Sequence, residues 1–271
     1  MGKCIYCARS AGLFGSKHES CERTVKEASA LVATAASGRE DGLKEKLEPL
    51  ARSAPTPEVY KEGLVRGWES ALDAALEDGV LTQEEEHRLM QLAADLTLAQ
   101  PELDRRRAWT RASEAAALRD LGEGKIPTRQ AIEGNLPFNL QRSEQLVWVF
   151  PQTEYFEQRV QHSYSGVSQG LSIRLVKGVY YRPSAFRVNP VERSHLVQVD
   201  TGYLGATTKH IYFGGPAKSL RVPYGKVVSF VPFSDGFGIH RDAASAKPQM
   251  FLTGDGWFAY NLFVNLAQRA S

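Results

Sequence analysis

The sequence has 271 residues, of which 42% are hydrophobic and 24% charged, a composition typical of globular proteins. No apolar run approaches the roughly 20 residues that span a bilayer, and the polar N-terminus is unlike a signal peptide. Three cysteines are an odd number for a secreted disulfide framework, so we expect a cytoplasmic protein. The net charge is +2, but the charges are unevenly distributed along the chain. Residues 55–122 carry 14 acidic and 8 basic residues, whereas residues 123–271 carry 10 acidic and 16 basic residues. Such an asymmetry often follows domain boundaries.

All the cysteines lie in the first 21 residues, within the segment CIYCARSAGLFGSKHESC. Cys4 and Cys7 form a C-x2-C pair, and His18 and Cys21 form an H-x2-C pair after ten residues. Zinc takes four nitrogen or sulfur ligands in a tetrahedron, and a tight turn directs two ligands of this spacing at one ion. Because this set of four is complete, we predict one structural zinc ion and no catalytic one. The alternative is three free thiols and a surface histidine.

A helix is predicted after the second pair, since Val25, Ala28, Val32 and Ala35 recur at helical spacing. The sequence thus indicates a zinc knuckle at residues 1–24 and connecting helices at residues 25–54. Modules of this kind bind nucleic acid or protein. The nearby cations do not alternate with aromatic residues, so nucleic-acid binding stays an alternative; they are Arg9, Lys17, Arg23 and Lys26.

The middle of the chain, residues 55–122, is predicted to be helical. A core stripe recurs at helical spacing, formed by Leu64, Trp68, Ala71, Leu72 and Ala75. Gly79 is placed to end this helix in the left-handed conformation, and Thr82 with Glu85 predicts a capping box for the next one. The inward face of that next helix is expected to consist of Leu89, Leu92, Ala93 and Leu96. A further helix is expected to start at Pro101 and Asp104, with Trp109 and Leu118 in the core.

The phrase ALDAALEDGVLTQEEEHRLMQLAADLTL resembles the TerB-like helical domain of tellurite-resistance proteins, over about residues 58–121. That family is associated with metal or calcium binding and with membrane-linked stress responses. The carboxylates at the positions that match this family are Asp73, Glu77, Asp78 and Glu85. The spacing of a calcium loop fails here, because the third position of a loop that starts at Asp73 is Ala75. Helix capping accounts for Asp78, Thr82 and Glu85 without an ion, and a metal role for these carboxylates stays open.

From Leu136 onward the pattern changes to β-branched and aromatic residues separated by turn residues, after a linker at residues 123–137. We expect about seven antiparallel strands closed into a barrel over residues 138–271. The chain ends in a predicted amphipathic helix with an apolar stripe formed by Phe258, Leu262, Phe263 and Leu266. The fold class is therefore α+β and multidomain, with a zinc knuckle, an all-α bundle and a β-barrel capped by a helix.

The β-rich part resembles bacterial pleckstrin-homology-like and GRAM-like domains over roughly residues 138–269. The matching phrases contain Gly202, Leu204, Thr207 and Phe213, then Lys218, Ser219, Tyr224 and Lys226. Such domains bind phosphoinositides, proteins or peptides, and many bind no lipid. A lipid site needs cations at one barrel mouth. The cations here are scattered along the strands, which favours a solvated face; they are Lys177, Arg182, Arg187, Lys209, Lys218, Arg221 and Lys226.

Two short patterns imitate catalytic motifs. GVSQG places Ser168 in a G-x-S-x-G sequence, but a strand-like segment follows where a nucleophile elbow needs a helix. DGFGIHRD places His240 between Asp235 and Asp242, but SDG is turn chemistry and predicts a cross-strand or surface histidine. Three other histidines, His162, His195 and His210, are isolated in strand-like settings. We therefore expect no catalytic residues.

The sequence as a whole predicts a non-enzymatic adaptor or scaffold that binds one zinc ion and mediates protein–protein interactions. The TerB-like resemblance implies a bacterial stress or phage-defence context. The alternatives are a nucleic-acid-binding protein that uses the knuckle, and a protein recruited to anionic membranes by the cations of the barrel. No small-molecule substrate is indicated.

Overall fold

The computed structural model describes residues 2–12, 15–38, 42–129, 136–162, 174–176, 179–180, 192–243 and 247–270. The chain forms two compact units, Met1–Arg119 and Asp120–Ser271. Helices dominate the first unit, and an antiparallel sheet dominates the second, so the α+β class predicted from the sequence is confirmed. The finer division at residues 24, 54, 122 and 137 stays a prediction. Within the described ranges, no helix has both the length and the hydropathy to cross a membrane.

Six helices follow the N-terminal knuckle in the described part of the chain: α1 (Glu19–Ala36), α2 (Leu43–Ser53), α3 (Pro57–Ala75), α4 (Gln83–Asp95), α5 (Gln100–Leu103) and α6 (Ala108–Gly122). Their ends have local causes. The Thr56 hydroxyl accepts from the Val59 amide at the start of α3, with Pro57 as the first helical residue. Gly79 has a φ of 81°, as predicted for the turn before α4. The predicted capping box is confirmed, because Thr82 and Glu85 each accept from the backbone amide of the other.

The predicted stripe of α3 lies in the helical core, where Trp68 and Leu72 are fully buried beside Leu64 and Ala71. The Trp68 indole donates to the Leu89 carbonyl of α4 at 2.8 Å, which satisfies its N–H group inside the core. Leu89, Leu92 and Ala93 are buried as predicted, whereas Ala75 and Leu96 are partly buried and pack against the edge of the helical core. The periodicity thus identified the inward faces of both helices.

The helix predicted from Pro101 onward is instead two helices. The short α5 ends at Leu103, and α6 begins at Ala108 after a turn in which Arg107 has a φ of 59°. The Asp104 carboxylate accepts from the amide and the hydroxyl of Thr110, so it stabilises the first turn of α6 from outside that helix. Leu118 was predicted to be a core residue, but it is only half-buried. Ala112 and Ala116 fill the helical core instead.

Helices α1 and α3 approach closely because α3 has glycines at positions 63 and 67. A Cβ atom at Gly67 would lie 2.5 Å from Cβ of Val32 and 2.8 Å from the Ser29 carbonyl oxygen. At Gly63 it would lie 2.8 Å from Cβ of Ala28. Both glycines face α1, since they are one helical turn apart. The contact between α1 and α3 therefore requires residues without side chains at these two positions.

The described residues of the second unit form seven strands of one antiparallel sheet, a separate two-stranded pair and a final helix. They are β1 (Leu146–His162), β2 (Arg174–Val176), β3 (Val179–Tyr180), β4 (Glu192–Thr207), β5 (His210–Gly214), β6 (Ser219–Pro223), β7 (Val227–Pro232), β8 (Gly236–Arg241), β9 (Gln249–Leu252) and α7 (Gly256–Ala270). The order in the sheet is β6-β5-β4-β1-β9-β8-β7, and β2 pairs with β3. Phe237 and Phe251 are fully buried on the face that meets α7.

The closed barrel predicted for residues 138–271 is wrong, because among the described residues β6 and β7 are the two edges of an open sheet. Pro223 at the end of β6 has no amide hydrogen to donate, and a 3₁₀ turn at Tyr224–Lys226 separates the two edge strands. Helix α7 packs against β7, β8 and that turn. Its predicted apolar stripe is confirmed, since Phe258, Leu262, Phe263 and Leu266 are all buried.

Replacing Gly67 by Ala is expected to destabilise the chain by about 1–3 kcal/mol, because the new methyl group overlaps Val32 and the Ser29 carbonyl. Thermal and urea unfolding followed by circular dichroism at 222 nm measures the change. Gly122→Ala at the end of α6 is the matched control, since nothing lies within 4 Å of a Cβ atom there. Equal stability of the two variants would show that α1 and α3 are not in close contact.

Candidate functional site

The first cysteine pair lies on a tight hairpin formed by residues 2–12. Lys3 and Ser10 form an antiparallel bridge, and the Cys4 amide donates to the Arg9 carbonyl at 2.7 Å. The Ala8 amide donates to the Cys4 carbonyl at 2.8 Å, and Ala8 itself has a φ of 57°. This turn brings the side chains of both cysteines to the same side of the hairpin, as the C-x2-C spacing predicts.

The second pair lies at the beginning of α1. His18 is the residue preceding the helix, and Cys21 is in the first turn. The Ile5 amide donates to the Ser16 carbonyl at 2.9 Å, which ties the approach to α1 to the hairpin. His18 Nε2 lies 2.9 Å from the Ser10 carbonyl oxygen. Since a carbonyl only accepts, Nε2 carries the proton and Nδ1 keeps the lone pair that a metal ion needs.

The four side chains converge on one point. The three sulfur atoms and a ring nitrogen of His18 all lie within 4.8 Å of one another. Nδ1 of His18 lies 3.3 Å from Sγ of Cys7 and 3.8 Å from Sγ of Cys21. Ligand atoms around a tetrahedral ion with zinc-like bond lengths are about 3.5–3.8 Å apart. All three cysteines are free of disulfides, so Cys4, Cys7, His18 and Cys21 can bind one metal ion.

The thiols differ in their tendency to ionise. Burial opposes ionisation of Cys4, but hydrogen bonds from the amides of Cys7, Tyr6 and His18 outweigh it and lower the pKa of Cys4 from 9.0 to about 6. Burial raises the pKa of Cys21 to about 11, helped by its hydrogen bonds with the other two cysteines and by their negative charge. All three thiols could therefore be ionised together only with a cation between them.

The cluster is also part of a hydrophobic core. Cys4 and Cys21 are 2% and 1% exposed, and they pack with Val25 of α1 and Val59 of α3. Tyr6, between the first two cysteines, lies under the Arg66 guanidinium of α3, with 5.3 Å from the Arg66 Cζ atom to the ring centre. The four side chains thus join the hairpin to the contact between α1 and α3.

The carboxylates singled out by the TerB-like resemblance do not converge. Asp73 pairs with Arg111 at 2.9 Å, Asp78 accepts from the Val80 amide at 3.0 Å, and Glu85 belongs to the capping box. Glu77 is exposed in the turn that follows α3. In the described ranges, the group that meets the geometry of a metal site is the one formed by the three cysteines and His18.

The catalytic look-alikes fall in different places. Ser168 lies outside the described residues, as do the side chains of His162 in β1 and His195 in β4. His240 lies opposite Ser229 in the β7–β8 pairing, is exposed, and has its Nδ1 3.0 Å from the Ser229 hydroxyl. It is a cross-strand histidine, as predicted, and Asp235 lies in the turn before β8.

Of the cations considered for an anionic membrane, those that the structure describes lie on different elements. Lys177, Arg182 and Arg187 lie outside the described residues. Lys218 pairs with Glu157 at 3.1 Å, and Lys209 donates to the Ser143 hydroxyl at 3.1 Å. Arg221 is opposite Tyr212 in the pairing of β5 with β6, and Lys226 ends the 3₁₀ turn.

Sequence reasoning missed a buried polar cluster around Glu144. Its fully buried carboxylate accepts from the Thr207 hydroxyl, from the Tyr212 hydroxyl at 2.8 Å and from the Gln141 amide at 2.9 Å. Nδ1 of His210 lies 2.8 Å from the same carboxylate. His210, which the sequence left isolated, therefore helps to join β5 to the segment before β1. Its partner is 66 residues away in the chain, so no local pattern could have identified it.

The environment of Glu144 favours its charged form. Burial opposes ionisation, but the hydrogen bonds from Thr207, Gln141, His210 and Tyr212 outweigh it and lower the pKa of Glu144 from 4.5 to about 2. A carboxyl whose pKa is lower in the folded state stabilises the fold above its unfolded pKa. This stabilisation is complete above about pH 4.5 and is lost as the pH falls towards 2.

No family model and no curated protein matches the chain. The resemblances to TerB-like and pleckstrin-homology-like domains therefore rest on the sequence patterns alone. The convergence of Cys4, Cys7, His18 and Cys21 is the observation from which a function can be argued.

Glu144→Gln is expected to destabilise the chain by about 2–3 kcal/mol at pH 7, because the amide cannot replace a buried charge with four donors around it. The stability difference from the parent should shrink by more than half at pH 3, where the parent itself loses this contribution. Urea unfolding at both pH values measures it. Glu123→Gln, at an exposed carboxylate, is the control. A difference that is independent of pH would contradict the assignment.

Proposed function

We propose that the four converging side chains bind one structural zinc ion. Three thiolates and one imidazole are a common donor set for structural zinc, and the set leaves no position for water or substrate. The protonation of His18 supports this, because its Nε2–H bond to Ser10 leaves Nδ1 available to the ion. Zinc supplies no redox chemistry, so its contribution here would be to cross-link the hairpin and α1.

This cross-link would stabilise more than the hairpin. A segment of about 20 residues cannot bury enough apolar surface to fold alone, so binding of the ion and folding of the segment are coupled. Since Cys4 and Cys21 share a buried cluster with Val25 and Val59, loss of the ion would also loosen the contact between α1 and α3.

We further propose that the chain is a non-enzymatic adaptor that mediates protein–protein interactions. The closed donor set supports a structural role, and the helical and sheet units would offer the binding surfaces. We propose a TerB-like helical part, on the basis of its Asp-Gly turn followed by a capped helix, and a pleckstrin-homology-like part, on the basis of an antiparallel sheet followed by a C-terminal helix. A role in bacterial stress or phage defence follows from the resemblance to TerB-like domains.

Purified protein is expected to contain one zinc ion per chain, and His18→Ala and Cys4→Ser are expected to lose it. Inductively coupled plasma mass spectrometry measures the ratio of metal to protein. His87→Ala, at an exposed histidine of α4, is the matched control and should keep the ion. A folded chain without metal, or full occupancy in His18→Ala, would contradict the zinc assignment.

The adaptor role is tested by capture from the native host with the full zinc-loaded chain, compared with the Cys4→Ser chain. A protein that is retained in stoichiometric amount should then bind the purified chain in isothermal titration calorimetry. If the captured protein is retained from crude extract but does not bind the purified chain, the chain is not an adaptor that contacts this partner directly.

The absence of a serine nucleophile is a separate expectation. A fluorophosphonate probe should leave Ser168 unmodified, as mass spectrometry of the digested protein would show. Ser168→Ala is the control that identifies the site, and stoichiometric labelling that disappears in this variant would replace the adaptor by a hydrolase.

A further inference from the structure

The three thiols of the metal cluster differ in their access to solvent. Cys4 and Cys21 are 2% and 1% exposed, whereas Cys7 is only partly buried. The next two residues of the hairpin, Ala8 and Arg9, are exposed. Among neighbouring cysteines, oxidation selects the sulfur atom that the oxidant can reach. Cys7 is therefore the thiol of this cluster that a small oxidant in solution meets first.

A second sulfur atom lies within reach of Cys7. The ligand atoms of the cluster, the three sulfur atoms among them, all lie within 4.8 Å of one another. Cys4 and Cys7 share the turn that the Ala8 amide closes by donating to the Cys4 carbonyl at 2.8 Å. A tight turn holds the Cα atoms of residues three apart within about 7 Å, and disulfides span Cα separations up to about 6.8 Å. Side-chain rotation can therefore bring these two sulfur atoms to bonding distance within the existing hairpin.

Cys21 is held in a different way. It lies in the first turn of α1, and its side chain packs with Val25 and Val59. A bond from Cys7 to Cys21 would have to move the hairpin relative to α1, whereas a bond from Cys7 to Cys4 lies within the hairpin. The chain has three cysteines, so a bond between Cys4 and Cys7 leaves Cys21 as a single buried thiol without a second partner.

We propose that Cys7 is an oxidation site for hydrogen peroxide and that the product is a disulfide between Cys7 and Cys4. The proposal rests on the proposed zinc site and concerns the regulation of that site, because the oxidation removes two of its donors. The same four residues would thus hold the ion under reducing conditions and lose it under oxidising ones.

The oxidation takes two steps. The thiolate of Cys7 attacks one oxygen atom of the peroxide, the O–O bond breaks, and the sulfur atom keeps a hydroxyl group while hydroxide leaves. The thiolate of Cys4 then attacks the Cys7 sulfur atom, the S–O bond breaks, the S–S bond forms, and a second hydroxide leaves. Both hydroxides take up a proton from solution. Two electrons from the sulfur pair thus reduce one peroxide to two water molecules.

The disulfide leaves two of the four donors, His18 and Cys21. Structural zinc sites use four donors, and a sulfur atom in a disulfide has no negative charge to offer an ion. Oxidation is therefore expected to release the ion and to free the hairpin from α1. A dithiol reductant reverses the change, because thiol–disulfide exchange regenerates both thiolates.

The test uses the full zinc-loaded chain, kept anaerobic until hydrogen peroxide is added. A pyridylazoresorcinol dye follows zinc release, and mass spectrometry of a trypsin digest, alkylated beforehand and kept free of reductant, locates the disulfide. Trypsin cleaves after Lys3, Arg9, Lys17 and Arg23, so Cys4 and Cys7 stay in one peptide and Cys21 is in another. We expect one zinc ion released per disulfide, a loss of two hydrogen atoms from peptide 4–9, and alkylation of Cys21 alone. Reduction with dithiothreitol and reloading with zinc should restore the starting metal content.

Two histidine variants separate the roles of the thiols. Cys7→His keeps a fourth donor but removes the accessible sulfur atom, so it should bind zinc and release it at least about fivefold more slowly in peroxide. Cys21→His makes the same exchange outside the proposed pair and should release zinc at the rate of the parent chain. If either variant fails to hold zinc, the position of the disulfide in the parent chain decides the proposal by itself.

Zinc content measured before the oxidant is added separates this proposal from the one on which it rests. A chain that binds no zinc contradicts the zinc site, and the digest then still shows whether peroxide joins Cys4 to Cys7. A chain that binds zinc and keeps it in peroxide contradicts the oxidation site alone. A disulfide that links peptide 4–9 to peptide 18–23, or release from Cys7→His at the parent rate, would also overturn the assignment.

Discussion

The thiols of Cys4 and Cys21 are buried in a small hydrophobic cluster with Val25 and Val59, and this burial constrains how the N-terminal part of the chain can fold. A buried thiolate is costly in free energy unless a positive charge or several donors face it. Backbone amides favour the charged form of Cys4, whereas burial and neighbouring sulfur atoms disfavour that of Cys21. A divalent cation removes this conflict, because all three sulfur atoms can then be charged at one point. The hairpin, the start of α1 and Val59 of α3 all meet beside that point.

The features that sequence reasoning could predict are those set within a few residues. The two ligand pairs each span four residues, so their spacing alone indicated the convergence seen for Cys4, Cys7, His18 and Cys21. The capping box of Thr82 and Glu85 and the left-handed Gly79 are likewise local. The apolar stripe of α7 was readable because a helix repeats its inward face every three or four residues.

The features that escaped prediction depend on contacts between distant residues. The separation of α5 from α6 is stabilised by the Asp104 carboxylate, a residue that the sequence pattern suggested as a helix start. The open sheet follows from which strands pair, and strand order is not encoded in alternation. Three of the four partners of Glu144 lie in β4 and β5, more than 60 residues later in the chain, so the sequence around position 144 does not indicate a buried charge.

Both units bury groups that can carry a negative charge, but they stabilise that charge in different ways. The sheet unit buries the Glu144 carboxylate and satisfies it with four donors of its own, so the stability that this carboxylate contributes is lost only below about pH 4.5. The helical unit buries three sulfur atoms whose negative charge a bound metal ion could balance. Removal of that ion would therefore act on the contact of the knuckle with α1 and α3 while the hydrogen-bonded cluster of the sheet unit keeps all its partners.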